Sequence, residues 1–323
     1  MALKNCGKSY WWHVRHLLPD LVFRLRLFLA LYRGSTILRE KCFVCGASLG
    51  FILLSHWTLH REAQCRMCGA RKRNSDAAYT ILKTCLGRTE GCLRRNVPEL
   101  SHLRVYLTQS SGPLHKHLKS LPNFTCSEFW KGIVPGQVHK GVRCEDLTRL
   151  TFDSQTFDLI VNEDVLEHVK NFSLAFSEIR RVLKSNGVHI FTVPYNETHT
   201  TQRRAMVDEH GRLIQLLQPV YHGDPFRPEG SLVFTDFGND LLTYLDRLGM
   251  RTEDWVLGLW HDPGEVTWID TADKHAEYWR HYLKGTLVSA FQWNSHVFVS
   301  RISEAGRDRR HHDEASFWPR IVT

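Results

Sequence analysis

Two pairs of cysteines stand at metal-ligand spacing, Cys42-x2-Cys45-Gly46 and Cys65-x2-Cys68-Gly69. Each pair can present two thiolates from a tight turn, and the glycine that follows lets the backbone fold round a cation. Two such pairs close a tetrahedral all-thiolate zinc site with no open coordination position. A site of that kind holds together a segment too small to bury a core of its own. The competing reading is four free thiols in a reduced loop. Cys6, Cys85, Cys92, Cys126 and Cys144 lack the spacing and read as packing residues. Arg71-Lys72-Arg73 follows the second pair and reads as a solvated face or a contact for an anionic substrate; docking to nucleic acid is the third reading.

Carboxylates and imidazoles supply the other candidates. Glu128 falls where a second strand should end, a position from which a carboxylate can accept from both hydroxyls of a ribose. Asp146, in Glu145-Asp146-Leu147 at the end of a third strand, could accept from the exocyclic amine of adenine. His168, His199 and His222 have intrinsic pKa values near neutrality and could remove a proton from an acceptor. For His168 a structural role, hydrogen-bonded to backbone, is the stronger alternative. His222 and Asp224 lie in Tyr221-His222-Gly223-Asp224-Pro225, inside a long insertion between Tyr195 and Leu232. They are the preferred substrate-side pair, against a rigid turn in which Asp224 caps and Pro225 fixes φ.

These residues need a scaffold, and the pattern from Leu100 onward provides one. Strands are expected at 102–107, 124–129, 142–147, 157–162 and 188–193, with helices at 77–86, 114–121 and 171–183 between or before them. Asn186-Gly187 is expected to stop the last helix. Ala290–Trp293 and His296–Val299 read as late strands. Alternation of this kind argues for a doubly wound, mostly parallel α/β sheet. The loop after the first strand, Thr108-Gln109-Ser110-Ser111-Gly112-Pro113, has a single glycine and is weak evidence for a cofactor by itself.

The stretch Phe152-x4-Phe157-Asp158-Leu159-Ile160-Val161-Asn162-Glu163-Asp164-Val165-Leu166-Glu167-His168-Val169 resembles the fourth-strand signature of class I S-adenosylmethionine-dependent methyltransferases, type 11-like. Arg181-Val182-Leu183-Lys184-Ser185-Asn186-Gly187 and Thr192-Val193-Pro194 continue it in the right order. More loosely, Tyr221–Pro225 and Phe234–Gly238 look like a subset of these enzymes that carries an N-terminal four-cysteine module. The resemblance implies a Rossmann-like seven-stranded sheet and S-adenosylmethionine as cofactor. Ser110, Ser111 and Gly112 would approach its methionine part, Glu128 would hold the ribose and Asp146 with Leu147 the adenine. Asn162 and Asp164 would line the methyl-transfer site. The family's usual G-x-G is missing from the first loop, which leaves a catalytically silent relative as the alternative. Nucleic-acid modification and a reaction other than methyl transfer are further ones.

The 323 residues divide on this reading into an amphipathic helical segment (1–40), the four-cysteine module (41–76), a linker helix (77–98), the methyltransferase domain (99–302, with a substrate insertion at 195–235) and a charged tail (303–323). Lys+Arg 42 against Asp+Glu 34 gives +8. Residues 1–76 hold 13 Lys/Arg and 4 Asp/Glu, so the excess lies in the first quarter. A hydrophobic fraction of 42% is that of a folded globular protein and rules out collagen-like or low-complexity chains. Residues 10–33 combine Tyr10-Trp11-Trp12 with interspersed arginines and could lie on a membrane surface; packing on the main domain or in a homodimer is the plainer expectation. A cytoplasmic location follows from the cysteine usage and the absence of a secretory pattern. A small molecule or glycan is the expected acceptor. Trp255, Trp260, Trp268 and Trp279 could stack on it, or fill core or interface.

Overall fold

The computed structural model describes residues 37–38, 40–52, 60–197, 199–257 and 295–303. The leading amphipathic segment, most of the charged tail, Ala290–Trp293, and Trp260, Trp268 and Trp279 lie outside the described residues.

In chain order the first of the described elements form a small antiparallel sheet, β1 (Ile37–Leu38), β2 (Phe51–Ile52) and β3 (Gln64–Cys65). Helices α1 (Lys72–Leu86) and α2 (Leu93–Asn96) follow. Then come β4 (Val105–Leu107), α3 (Gly112–Leu118), β5 (Phe124–Glu128), β6 (Val138–His139), β7 (Val142–Cys144), β8 (Phe157–Glu163), α4 (Phe172–Val182) and β9 (Leu183–Thr192). The insertion adds seven short strands: β10 (Tyr195–Asn196), β11 (Gln202–Arg203), β12 (Ala205–Val207), β13 (Leu213–Gln215), β14 (Tyr221–His222), β15 (Ser231–Leu232) and β16 (Thr235–Gly238). Helix α5 (Leu241–Arg247) and strands β17 (Met250–Leu257) and β18 (Ser295–Ile302) complete the fold.

The main sheet runs β17-β18-β9-β8-β4-β5-β7-β6. Its centre is parallel, while β18 enters antiparallel between β9 and β17. This is the expected Rossmann-like α/β sheet with one difference. Among the described residues it has eight strands rather than seven, because residues 138–144 turn back as a hairpin and β6 pairs antiparallel with β7 at the edge.

Side chains alternate between two cores, as a sheet covered on both faces requires. Val105, Leu107, Leu159, Val161, Val297 and Val299 pack on the face carrying α1. Tyr106, Ile160, Phe191 and Phe298 pack on the opposite face with α4 and α5. The first core also contains Cys42, Phe43, Val44, Cys45 and Cys65. The four-cysteine segment therefore shares its apolar interior with the sheet, through α1, which starts at Lys72, before the expected 76/77 boundary.

Helix α4 begins where expected, with the Asn171 side chain accepting from Leu174 N at 3.3 Å. It ends at Val182, ahead of Asn186-Gly187. Leu183 already pairs with Phe157, and the register then jumps to Val188 against Leu159. Residues 184–187 thus bulge from a strand instead of terminating a helix.

Candidate active site

The strand order reverses at β4, whose neighbours are β5 on one side and β8 on the other. Crevices at the carboxyl ends of strands on either side of such a switch point are where open α/β sheets bind ligands. The first loop opens there. Gly112 has φ +91°, a left-handed conformation suited to glycine, and a Cβ there would meet only Gln109 Nε2, at 3.4 Å. Glu128, half-buried at the end of β5, accepts from the backbone N–H of Ser110 at 2.7 Å and from its hydroxyl at 2.9 Å. Both bonds go to Oε1, which leaves Oε2 for a ligand hydroxyl. Burial pushes this carboxyl above its ordinary pKa. Asp146 Oδ1 is engaged by Thr148, through N–H at 2.9 Å and hydroxyl at 2.7 Å, so Oδ2 is the oxygen it can offer. Leu147 beside it is buried.

The end of β8 is built differently. Asn162 is buried; its amide donates to Thr108 Oγ1 at 2.7 Å and its oxygen lies 2.5 Å from His189 Nε2. Its side chain ties β8 and β9 to the residue after β4, so its amide and its oxygen are both engaged inside the fold. Burial alone drives His189 down to about 3, so it is neutral here. Glu163 accepts from Asn74 Nδ2 at 2.7 Å and Gln109 Nε2 at 2.9 Å; burial raises its pKa above the usual range. Asp164, with φ +50°, accepts from Thr192 Oγ1 at 2.9 Å and pairs with Arg61 Nη2 at 2.5 Å and Arg73 Nε at 3.1 Å. Burial alone would raise its pKa, but the two guanidiniums and these hydrogen bonds override it and hold the carboxyl well below the usual range.

Arg61, Arg73, Asn74 and Gln109 had not been singled out for this site. The basic run Arg71-Lys72-Arg73 was the available signal, read as a solvated or anion-binding face. Instead Arg71 pairs with Glu62, Lys72 is buried between Glu40 and Asp76, and Arg73 reaches Glu62 and Asp164. Arg71 stays exposed, while the charges of Lys72 and Arg73 are taken up inside the protein.

Beyond β8 the chain turns through Leu166–His168. Glu167 is buried, and its Oε1 lies 3.6 Å from His168 Nε2 and 3.5 Å from His222 Nδ1. The two imidazoles meet edge to face, with centroids 5.0 Å apart. The sequence-predicted histidines thus come together from positions 54 residues apart in the chain. His199 does not join them; it is exposed in the turn between β10 and β11. Nor does Asp224. Its carboxylate accepts from Phe226 N at 2.7 Å, Arg227 N at 3.1 Å, Arg227 Nη1 at 2.5 Å and Ser231 Oγ at 2.5 Å. It is the lynchpin of a turn, and the catalytic assignment gives way to the rigid-turn one. Arg227 in turn donates to Phe129 O at 2.7 Å, and Phe226 packs against Trp130 at 5.2 Å, so this part of the insertion sits over the loop after Glu128.

The four cysteines converge as their spacing implies. Cys42 and Cys68 sulfurs are 3.8 Å apart, as are those of Cys45 and Cys65, and all four lie within 4.8 Å of one another. A tetrahedron with Zn–S of about 2.3 Å has an edge of about 3.8 Å. The two turns are copies: Gly46 N donates to Cys42 O and Gly69 N to Cys65 O, with φ of +86° and +73° at the glycines. The donor set fits zinc.

Comparison with known proteins bears on the sheet. Residues 113–191 match the family model of a methyltransferase domain. This methyltransferase match covers α3 through most of β9, about a quarter of the chain. An uncharacterized protein of Methanocaldococcus jannaschii is 46% identical over 50 residues, 16% of this chain and 22% of that protein's length. Among solved structures, a protein of Pyrococcus horikoshii overlaps 72% of this chain and 92% of its own at 14% identity and a TM-score of 0.36. An S-adenosylmethionine-dependent methyltransferase from Mesorhizobium loti overlaps 65% and 95% at 15% identity and a TM-score of 0.35. A Burkholderia thailandensis 1,6-didemethyltoxoflavin N1-methyltransferase, with S-adenosylhomocysteine bound, overlaps 72% and 87% at 11% identity and a TM-score of 0.34.

Among the described residues, no helix is long and apolar enough to cross a membrane.

Proposed function

We propose that this chain is an S-adenosylmethionine-dependent methyltransferase acting on an oxygen or nitrogen of a small molecule or glycan, with zinc in the four-cysteine module as a structural ion. The observation that carries the reading is Glu128, a carboxylate at the carboxyl end of the strand beside the switch point, held through one oxygen by Ser110. The methyltransferase match over residues 113–191 supports it. When bound, the cofactor supplies a methyl group on a sulfonium, already a strong electrophile. The chain's own contribution is then to grip and align. Glu128 would hold the ribose, Asp146 and Leu147 the adenine, and Ser110, Ser111 and Gly112 would admit the remainder close to backbone. Orientation of this kind is worth about 7–11 kcal/mol of barrier, and a positioned base a further ~10²–10⁴-fold. Glu167, His168 and His222 gather polar groups after β8, where an acceptor could be held.

A second reading has one observation in its favour. Glu163 and Asp164, at the end of β8, are taken up by Asn74, Gln109, Arg61 and Arg73. A methyltransferase fold retained for binding alone would tolerate that. Calorimetry on the zinc-loaded chain separates the two. The first reading expects one saturable site for S-adenosylmethionine and for S-adenosylhomocysteine. A folded, zinc-loaded sample that takes up neither would leave the second.

A further inference from the structure

Glu167 presents a problem that its neighbours alone do not solve. Its side chain is 1% exposed, and neither carboxylate oxygen has a hydrogen bond. Among the described residues no lysine or arginine nitrogen lies within ion-pairing distance, and only the two imidazoles face it. A buried carboxylate with no donor is among the most costly groups a fold can hold, and it calls for a proton or a cation.

The histidine geometry points to the cation. His168 Nδ1 lies 2.8 Å from the carbonyl oxygen of Leu232. A carbonyl only accepts, so Nδ1 carries the hydrogen, and in the neutral ring Nε2 turns a lone pair toward Glu167. Two lone-pair atoms facing each other repel unless a positive centre lies between them. At 3.6 and 3.5 Å the contacts are too long for hydrogen bonds. They do suit two ligands of one ion: with bonds of about 2.0–2.2 Å, tetrahedral neighbours stand roughly 3.4 Å apart. The rings cross at 87°, so their nitrogens approach from different directions. A metal-ligating histidine commonly has its other nitrogen fixed by a carbonyl, which is what Leu232 does here.

We propose that Glu167, His168 and His222 bind one divalent first-row transition-metal ion, through a carboxylate oxygen, Nε2 of His168 and Nδ1 of His222. Two imidazoles and a carboxylate on one side of an ion leave positions open on the other. His222 is 37% exposed in its side chain, so those positions face solvent and can take a water, hydroxyl or carboxylate oxygen of a ligand. The site joins two parts of the chain. Glu167 and His168 belong to the turn after β8, while His222 and the Leu232 carbonyl belong to the hairpin β14–β15. The backbone already links them, with Phe234 N donating to Glu167 O at 2.8 Å. The site differs from the four-thiolate cluster in position, ligand type and open coordination. Ion binding is measured without cofactor or acceptor, so it stands or falls separately from methyl transfer.

The test is titration of the full, zinc-loaded chain with Mn2+, following loss of the free ion's paramagnetic resonance signal. Manganese prefers oxygen and nitrogen donors and leaves thiolate sites alone. One Mn2+ per chain is expected, with affinity at least tenfold weaker in Glu167→Gln and in His222→Ala. His222 sits on an exposed hairpin, and unchanged zinc content with an unchanged melting curve verifies that His222→Ala is folded. Absence of saturable Mn2+ binding by the wild-type chain would overturn the proposal. So would undiminished binding by folded His222→Ala.

Discussion

The two sides of the crevice treat their carboxylates in opposite ways. On the β5 side, Glu128 is half-buried, forms no ion pair among the described residues and keeps an oxygen unused by Ser110. On the β8 side, Asp164 is enclosed by Arg61, Arg73 and Thr192, and Glu163 by two amides. A carboxylate left short of partners costs the apo protein stability and keeps binding capacity in reserve; one fully partnered stabilises the fold and has little left for a ligand. The difference teaches that the first side is arranged for something to arrive, while the second is closed by the protein's own N-terminal segment.

The largest break in this comparison should come from the metal. Arg61 lies between the cysteine pairs and Arg73 just after the second, so losing zinc should free both cations from Asp164. Cys42→Ser with Cys65→Ser is expected to reduce zinc from about one per chain to none and to remove the cooperative melting of the wild type. Structural zinc contributes on the order of 10 kcal/mol in small zinc domains. A zinc-free wild type with an unaltered melt would show that the four-cysteine module is held together without the ion.

Next in size is Asp164→Asn, which leaves two largely buried guanidiniums with Glu62 as the one carboxylate they still share among the described residues. Unfolding free energy should fall by about 3–5 kcal/mol. The fold holds this carboxyl below its unfolded value of about 3.9. Its contribution is therefore whole at neutral pH, starts to decline as the pH drops through about 4, and vanishes below the folded-state value. The variant should lack that part of the acid limb in equilibrium unfolding; an identical acid limb would show that the arginines do not stabilise the anion.

Glu128→Gln should act in the other direction and more weakly. The fold raises this pKa, so the wild type gains stability as the pH falls toward the unfolded value of about 4.3 and bears the cost of the anion above it. Removing the charge should raise the melting temperature at neutral pH. It should also weaken S-adenosylmethionine by about 1.5–3 kcal/mol, the scale for hydrogen bonds to a charged group. Unchanged affinity would withdraw the ribose assignment.

The sheet was legible because its signals are local. Strands β4, β5 and β8 are read to within a few residues from apolar runs, and α4 from its 3.6-residue apolar stripe. The cysteine site was legible for the same reason, since each pair closes within one turn. Residues 184–187 misled because Asn-Gly serves a bulge as readily as a helix end. The β8 side of the crevice was not legible at all. Asn74 meets Glu163 across 89 residues and Arg61 meets Asp164 across 103, and no spacing rule links such pairs. His168 and His222 were chosen for their chemistry, but the carboxylate that joins them, Glu167, emerges only when the turn after β8 and the insertion are brought together.

Helix α1 rests on β18, the last strand described, as well as on β9. Ribosomes finish α1 about 210 residues before they reach Ser295, a delay of roughly 10–40 s at 5–20 residues per second. Through that interval the apolar stripe of α1 is seated only in part, on β9 and the strands already made. A nascent chain that stalled before Ser295 would leave the β18 part of that seat empty and the matching part of the stripe uncovered.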